Sequence, residues 1–318
     1  MMEWILVVVG LVILLFAGDA LVKGAVNLSL RLGVPALIVS LTIVAFGTSA
    51  PELLISVKSV IDGVPGLALG NVVGSNTANI LLVLGVPALL ATMHTAEHDT
   101  RSSYVQMLVA SALFIALCFL GVLTWISGVI LLAGLALMLG WSFQQARRAR
   151  AADAAAAALD DTDDLEGADP EMSGTLIAVF LIAGLIGLPV GAEMLIRGAT
   201  TIAKDFGLSD SVIGLTLVAL GTSLPELATT VMAALRRQAD VALGNVIGSN
   251  MFNLLAIIGI ATLFGPIPVD AQFLRFDLWV MAGASLLLIP FVFMRMNITR
   301  IWGVALTLGY IVYVWSLL

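Results

Sequence analysis

Two segments of the chain occur twice at one fixed offset. GTSAPEL at 47–53 returns as GTSLPEL at 221–227, and ALGNVVGSN at 68–76 returns as ALGNVIGSN at 242–250, each pair 174 residues apart. Residues 18–85 align on 192–259 without a gap, and 26 of the 68 pairs are identical. Any fold of this chain therefore has to place one structural unit twice. A duplication kept for architecture alone would preserve small and apolar residues. Here polar residues inside apolar helices are preserved as well: Thr48, Ser49, Glu52, Asn71, Ser75, Asn76 and Asn79, with their counterparts Thr222, Ser223, Glu226, Asn245, Ser249, Asn250 and Asn253.

These polar repeats sit in an apolar chain. Residues 4–18, 104–146, 172–192, 278–294 and 301–318 contain no charge, and a helix needs about 20 mostly apolar residues to cross a bilayer. Hydrophobic residues make up 60% and charged residues 11% of the 318, against about 25% charged in soluble domains. Mean hydropathy is +1.11. Thirty-five charged side chains cannot form the polar shell of a soluble fold this long, and a net charge of −7 repels phosphate, which excludes a nucleic-acid binder. The lone Cys118 excludes an intrachain disulfide, and Glu3 in place of a basic segment argues against a secretory signal at the start.

The pattern predicts an all-α polytopic membrane protein with ten transmembrane helices, near 4–28, 35–61, 66–92, 103–122, 125–146, 172–203, 210–235, 240–264, 272–294 and 299–317. Five helices precede the second unit. Five is odd, so the second unit enters the membrane from the opposite side, and the halves form two inverted-topology five-helix repeats, 1–146 and 172–318. Secondary transporters often use this plan, with ion sites at the repeat interface. Lysines and arginines favour cytoplasmic loops. With both termini outside, the cytoplasmic side holds ten basic residues (Lys23, Arg31, Arg101, Arg147, Arg148, Arg150, Arg236, Arg237, Arg295 and Arg300) and the other side four (Lys58, Arg197, Lys204 and Arg275). Both termini are therefore expected outside and residues 147–171 in the cytoplasm. That stretch carries three Arg and eight acids. It is expected to be a solvated linker; a regulatory cation sensor is the sharper alternative, but the spacing does not fit an EF-hand loop.

Glu52 and Glu226 are the acids deep inside predicted spans. A carboxylate there costs at least a few kcal/mol and ordinarily lines a cavity or binds an ion. Two of them, related by pseudo-symmetry, carry −2, which matches one divalent cation. Ca²⁺ takes 6–8 oxygens, so neutral ligands must add to the carboxylates. Each Glu follows a proline, Pro51 or Pro225, whose ring disrupts the hydrogen bond to the carbonyl four residues back, at Gly47 or Gly221. A broken helix at membrane depth is tolerated where it lines a cavity. Ser75 and Asn79 share one helix face, as do Ser249 and Asn253, and these four are assigned to the site. The repeated glycines and the remaining asparagines are left to helix packing. Asp19 and Glu193, aligned near helix ends, are expected to be structural, and His94 and His98 to be exposed loop residues rather than a metal pair.

The paired GTSxPEL and GNVxGSNxxN motifs resemble the two alpha-repeats of the cation/calcium exchanger superfamily, and most nearly the microbial sodium/calcium exchangers. The resemblance implies a core of helices 2, 3, 7 and 8, across which helices 1 and 6 slide. It implies that Glu52 and Glu226 are the central ligands, that the carbonyls of Thr48 and Thr222 ligate calcium, that the hydroxyls of Ser49, Ser75, Ser223 and Ser249 ligate sodium, and that the carbonyls of Ala45 and Ala219 are the outermost ligands. Some members carry an aspartate at one of the positions matching Asn79 and Asn253; both are amides here. The proton-coupled branch typically lacks the Thr-Ser hydroxyls, which both copies retain.

The expectation is a plasma (bacterial inner) membrane antiporter, functioning as a monomer in the lipid bilayer. It would expel Ca²⁺ using the Na⁺ gradient, with no cofactor and no nucleic-acid partner. H⁺/Ca²⁺ exchange by the same glutamates is the alternative. An intramembrane hydrolase would need a nucleophile–base pair or metal triad that no span provides, and a passive channel would leave the inverted pair of broken helices without a reason.

Overall fold

The computed structural model describes residues 2–95, 100–156, 169, 171–206 and 219–317. They are almost entirely helical: α1 (Met2–Leu32), α2 (Ala36–Thr48), α3 (Ala50–Ile61), α4 (Pro65–Leu90), α5 (Arg101–Cys118), α6 (Trp125–Ala156), α7 (Gly174–Asp205), α8 (Ala219–Thr222), α9 (Leu224–Leu235), α10 (Ala239–Ala261), α11 (Ala271–Phe293) and α12 (Arg300–Leu317). Among the described residues seven helices are long and apolar enough to cross a membrane, or eight when the bent pair α2–α3 counts as one. The two-residue strands Val122–Leu123 and Ile267–Pro268 pair antiparallel and tie the α5–α6 turn to the approach to α11.

The packing is the reverse of a soluble protein's. The two helices that carry the repeated asparagines lie at the centre: α10 is wholly buried along its span and α4 is 83% buried, whereas the more apolar α6 is only 22% buried. Phe16, Leu137, Ile301 and Trp315 are exposed on the outside. A lipid-facing surface explains this, because hydrocarbon accepts apolar side chains and the polar ones must find partners within the bundle.

Each polar repeat is built as an interrupted helix. α2 and α3 meet at 45°, with Ser49 out of helical geometry (φ −84°, ψ 7°). Ser223 separates α8 from α9 in the same way (φ −87°, ψ 4°). Pro51 and Pro225 each fall in the first turn of the following helix, where a missing N–H removes no intrahelical bond. The chain thus breaks before each proline. At the end of α2 the Ser49 N–H donates to the carbonyl of Ala45 (3.1 Å), and Pro51 has no N–H to offer the Gly47 carbonyl. Ser40–Val44 in α2, Asn79–Val83 in α4 and Phe252–Ile257 in α10 are π-helical turns, a geometry found frequently at functional sites.

α1 and α7 pack face to face along most of their length. A Cβ on Gly10 would lie 2.7 Å from the carbonyl oxygen of Gly191, and one on Gly191 2.9 Å from that of Gly10, so only glycine permits this approach. The small residues assigned to packing in α10 do pack: Cβ atoms on Gly244 and Gly248 would meet the carbonyls of Leu37 and Leu41. Residues 211 and 215, which the offset relates to Leu37 and Leu41, lie outside the described residues, as do the start of the seventh predicted span, His98 and most of the acidic linker. α6 runs ten residues past its predicted end at 146, to Ala156, because the Ala-rich start of the linker has high helix propensity.

Candidate ion-binding site

The helix breaks place both glutamates in the first turn of a new helix, Glu52 in α3 and Glu226 in α9. The unpaired N–H groups and the dipole of a helix start favour a carboxylate there. Both side chains are 1% exposed. Matched amides steady the backbone beneath them. Asn71 Nδ2 donates to the carbonyl of Glu52 (3.3 Å) and to Ser56 Oγ (3.1 Å). Asn245 Nδ2 donates to the carbonyl of Glu226 (3.4 Å) and to Thr230 Oγ1 (3.2 Å).

Contacts between the repeats join Thr48, Ser49, Asn79, Ser249 and Asn253 among the other predicted residues. Ser49 Oγ donates to Glu226 Oε1 at 3.1 Å. Thr48 Oγ1 lies 3.3 Å from Asn245 Oδ1, 3.3 Å from the carbonyl of Ala45 and 3.5 Å from Ser249 Oγ. Thr222, Ser223, Ser75, Asn79 and Asn253 are all buried. Ala45 opens the last turn of α2, and Ala219 opens α8. Asn79 Nδ2 donates to Asn250 Oδ1 (3.0 Å), and Asn253 Nδ2 to Asn76 Oδ1 (2.9 Å). The carboxamides of Asn76 and Asn250 also reach the opposite repeat's backbone, at 3.1 and 3.4 Å. Of these supporting residues, Ser56 and Thr230 escaped the sequence reading. Their signal is a hydroxyl at both positions of one 174-residue offset, which a count of identities passes over.

The oxygens left without partners identify the chemistry. Glu52 Oε2, Glu226 Oε2, Ser223 Oγ, Asn79 Oδ1 and Asn253 Oδ1 are buried with no hydrogen bond. Each such group costs about 1–3 kcal/mol, more when charged. Four of the five can only accept, or accept until protonated, so a donor or a cation is what would satisfy them. Among the described residues no group of three or more His, Cys, Asp or Glu is placed to hold a metal ion. The donor set is therefore two carboxylates with hydroxyl and amide oxygens, the ligands of a hard cation such as Ca²⁺ or Na⁺.

The remaining predicted polar residues are structural or peripheral. Asp19 forms an ion pair with Arg236 at the end of α9 and lies 3.5 Å from Lys23. Glu193 faces Arg197 at 3.8 Å on the outside of α7. His94 is exposed.

The chain is similar to known membrane exchangers along nearly its whole length. The family described as Sodium/calcium exchanger protein matches residues 2–144 and again residues 176–318. The chain is 36% identical over 313 residues to the putative antiporter CaxA of Alkalimonas amylolytica, covering 97% of this chain and 96% of that one. It is 34% identical over 345 residues to the sodium/calcium exchanger MaX1 of Methanosarcina acetivorans, covering 98% and 97%. A solved structure of the sodium-calcium exchanger NCX_Mj superposes with a TM-score of 0.81 at 32% identity, covering 100% of this chain and 99% of that one. The chain belongs to the sodium/calcium exchanger family of membrane cation antiporters.

Proposed function

We propose that the protein exchanges Ca²⁺ for Na⁺ across the plasma membrane by alternating access. Glu52 and Glu226 serve as the central ligands, and the neutral shell comes from Thr48, Thr222, Ser49, Ser223, Ser75, Ser249, Asn79, Asn253, Ala45 and Ala219. The observation that carries this reading is the concentration of partnerless buried oxygens on both glutamates and both site amides. One Ca²⁺ balances the two carboxylates, and Na⁺ ions can use the same oxygens, so each ion excludes the other. An ion-free, doubly negative site is too costly to move between faces, and that cost is what couples the two fluxes.

The architecture that goes with this reading is ten helices in two inverted repeats, 1–146 and 172–318, joined by the 147–171 linker in the cytoplasm, with both termini outside. Two matches of one family pattern, on either side of that linker, support the division. The tightly apposed α1 and α7 form the group that moves over the core. The Ser49 hydroxyl bound to Glu226 supports Na⁺ coupling, since a hydroxyl beside the carboxylate adds a neutral ligand that a proton does not require.

The test is Ca²⁺ uptake into proteoliposomes with Na⁺ and pH gradients imposed separately. Uptake driven by the Na⁺ gradient alone is expected. Uptake driven by a pH gradient with no Na⁺ present would select proton coupling instead, and uptake unchanged in both Glu52→Gln and Glu226→Gln would sink the site.

A further inference from the structure

Four asparagines from the two repeats meet at the centre of the bundle, each 1% exposed, and only two of them turn an unpaired oxygen away from the cluster. We propose that the other two, Asn76 and Asn250, are positioning residues: they set which end of the Asn253 and Asn79 side chains faces the ion. The proposal rests on the reading of Asn79 and Asn253 as ligands.

A carboxamide has a donating end and an accepting end of nearly equal size, and nothing in its shape chooses between them. A backbone carbonyl does choose, because it can only accept. One end of Asn76 lies 3.1 Å from the carbonyl oxygen of Asn250, so that end is the NH₂. The other end is then Oδ1, which requires a donor, and the group opposite it is the Asn253 amide at 2.9 Å. Asn253 therefore gives its NH₂ to Asn76 and keeps Oδ1 for the site. The relay runs the other way from the carbonyl of Asn76. It takes Asn250 Nδ2 at 3.4 Å, which leaves Asn250 Oδ1 to accept from Asn79 Nδ2 at 3.0 Å. Asn250 Nδ2 also lies 3.8 Å from Met107 Sδ, a weak acceptor that reinforces the same orientation. Asn79 Oδ1 and Asn253 Oδ1 are the two amide oxygens left buried and unpaired.

Each site amide is thus held by an asparagine of the opposite repeat. Without that hold the amide can turn over and present NH₂, whose positive end repels a cation. Loss of Asn76 or Asn250 should therefore weaken ion binding as strongly as loss of the ligand it holds, about tenfold or more, the range seen when partners of metal ligands are removed.

Double-mutant cycles separate orientation from packing. The readouts are equilibrium binding of radiolabelled Ca²⁺ and the half-saturation and maximal rate of exchange in proteoliposomes. Asn253→Ala and Asn76→Ala are each expected to raise half-saturation about tenfold or more. The double variant should be no worse than Asn253→Ala, because no amide remains to be oriented. Asn250→Ala and Asn79→Ala should behave likewise. Asn76→Ala and Asn79→Ala, which are not joined by a hydrogen bond, should multiply. If Asn76→Ala yields no folded protein, Asn76→Ser and the Asn250–Asn79 cycle read the same coupling. Multiplicative effects within the two cross-repeat pairs, or a fall in maximal rate with half-saturation unchanged, would overturn the positioning role while leaving the ligands in place. Unchanged half-saturation in Asn253→Ala and Asn79→Ala would overturn the ligand reading and this role with it.

Discussion

Asp19 on α1 and Arg236 at the end of α9 form an ion pair that the duplicated half does not reproduce. The 174-residue offset carries Asp19 to Glu193 and Arg236 to Asp62, so the equivalent contact would join two acids. Each acid instead finds a base within its own helix: Lys58 for Asp62 at 2.7 Å and Arg197 for Glu193 at 3.8 Å. Among the described residues an ion pair therefore ties α1 to the core, and none ties α7 at the equivalent place. Arg236→Gln should shift the balance of conformations away from the one described by about 1 kcal/mol, or about fivefold. Labelling of cysteines introduced along α1, measured with and without the substitution, checks this; equal labelling rates would refute it.

Glutamine substitution of the buried acids should separate stability from transport. The ion-free protein holds two carboxylates in its interior. Glu52→Gln or Glu226→Gln removes one of them, and the thermal midpoint without ions should stay the same or rise. Ca²⁺ at a hundred times its dissociation constant should stabilise the unsubstituted protein by a further ~2.7 kcal/mol, and the substituted proteins should lose that gain. Melting curves with and without Ca²⁺ measure both effects, and a retained Ca²⁺ response would contradict them.

The two serines at the helix breaks should differ. Ser49 Oγ donates to Glu226 Oε1, whereas Ser223 Oγ is buried without a partner. Ser49→Ala strands a carboxylate oxygen and should destabilise the ion-free protein by about 1–3 kcal/mol. Ser223→Ala removes an unsatisfied hydroxyl, so ion-free stability should stay the same or rise, and both should weaken Na⁺ dependence. Denaturation in the absence of ions, compared with Na⁺ titration of exchange, distinguishes the pair.

Gly47 and Gly221 carry α7 close over both helix breaks. A Cβ at these positions would come within 2.0 Å of Leu185 Cδ2 and 2.2 Å of Ile196 Cδ1. Gly47→Ala should cost about 1–3 kcal/mol by overpacking and slow exchange. Leu185→Ala in the same chain should restore the rate, since it removes the obstructing atoms. A double variant as slow as Gly47→Ala would place the fault in the backbone at the break rather than under α7.

Much of the site was legible because a carboxylate inside an apolar run is conspicuous, and a second one at the same offset makes it more so. Glu52 and Glu226 needed nothing else. The helix breaks were legible from Pro51 and Pro225, because neither residue has an N–H to give to the turn before it. The roles of Asn76 and Asn250 were hidden for a different reason. Repetition marks a residue as constrained without saying whether it faces an ion or another asparagine, and only the approach of a backbone carbonyl decides that. The Asp19–Arg236 pair was the least legible, because it joins positions that the offset does not relate and so leaves no trace in the alignment of the halves.

The contact between Asn76 and Asn250 has one more consequence. Each carboxamide binds the other residue's backbone carbonyl, so what the first residue does to the second, the second does to the first. That reciprocity is the mark of an isologous interface, the kind formed by two identical subunits about a twofold axis. The middle of this single chain thus has the form of a homodimer seam. A half-length protein carrying one copy of the GNVxGSNxxN segment would already hold both sides of that seam and could close it against a second copy of itself, which is the simplest origin for a fused chain with the same asparagine on either side of its centre.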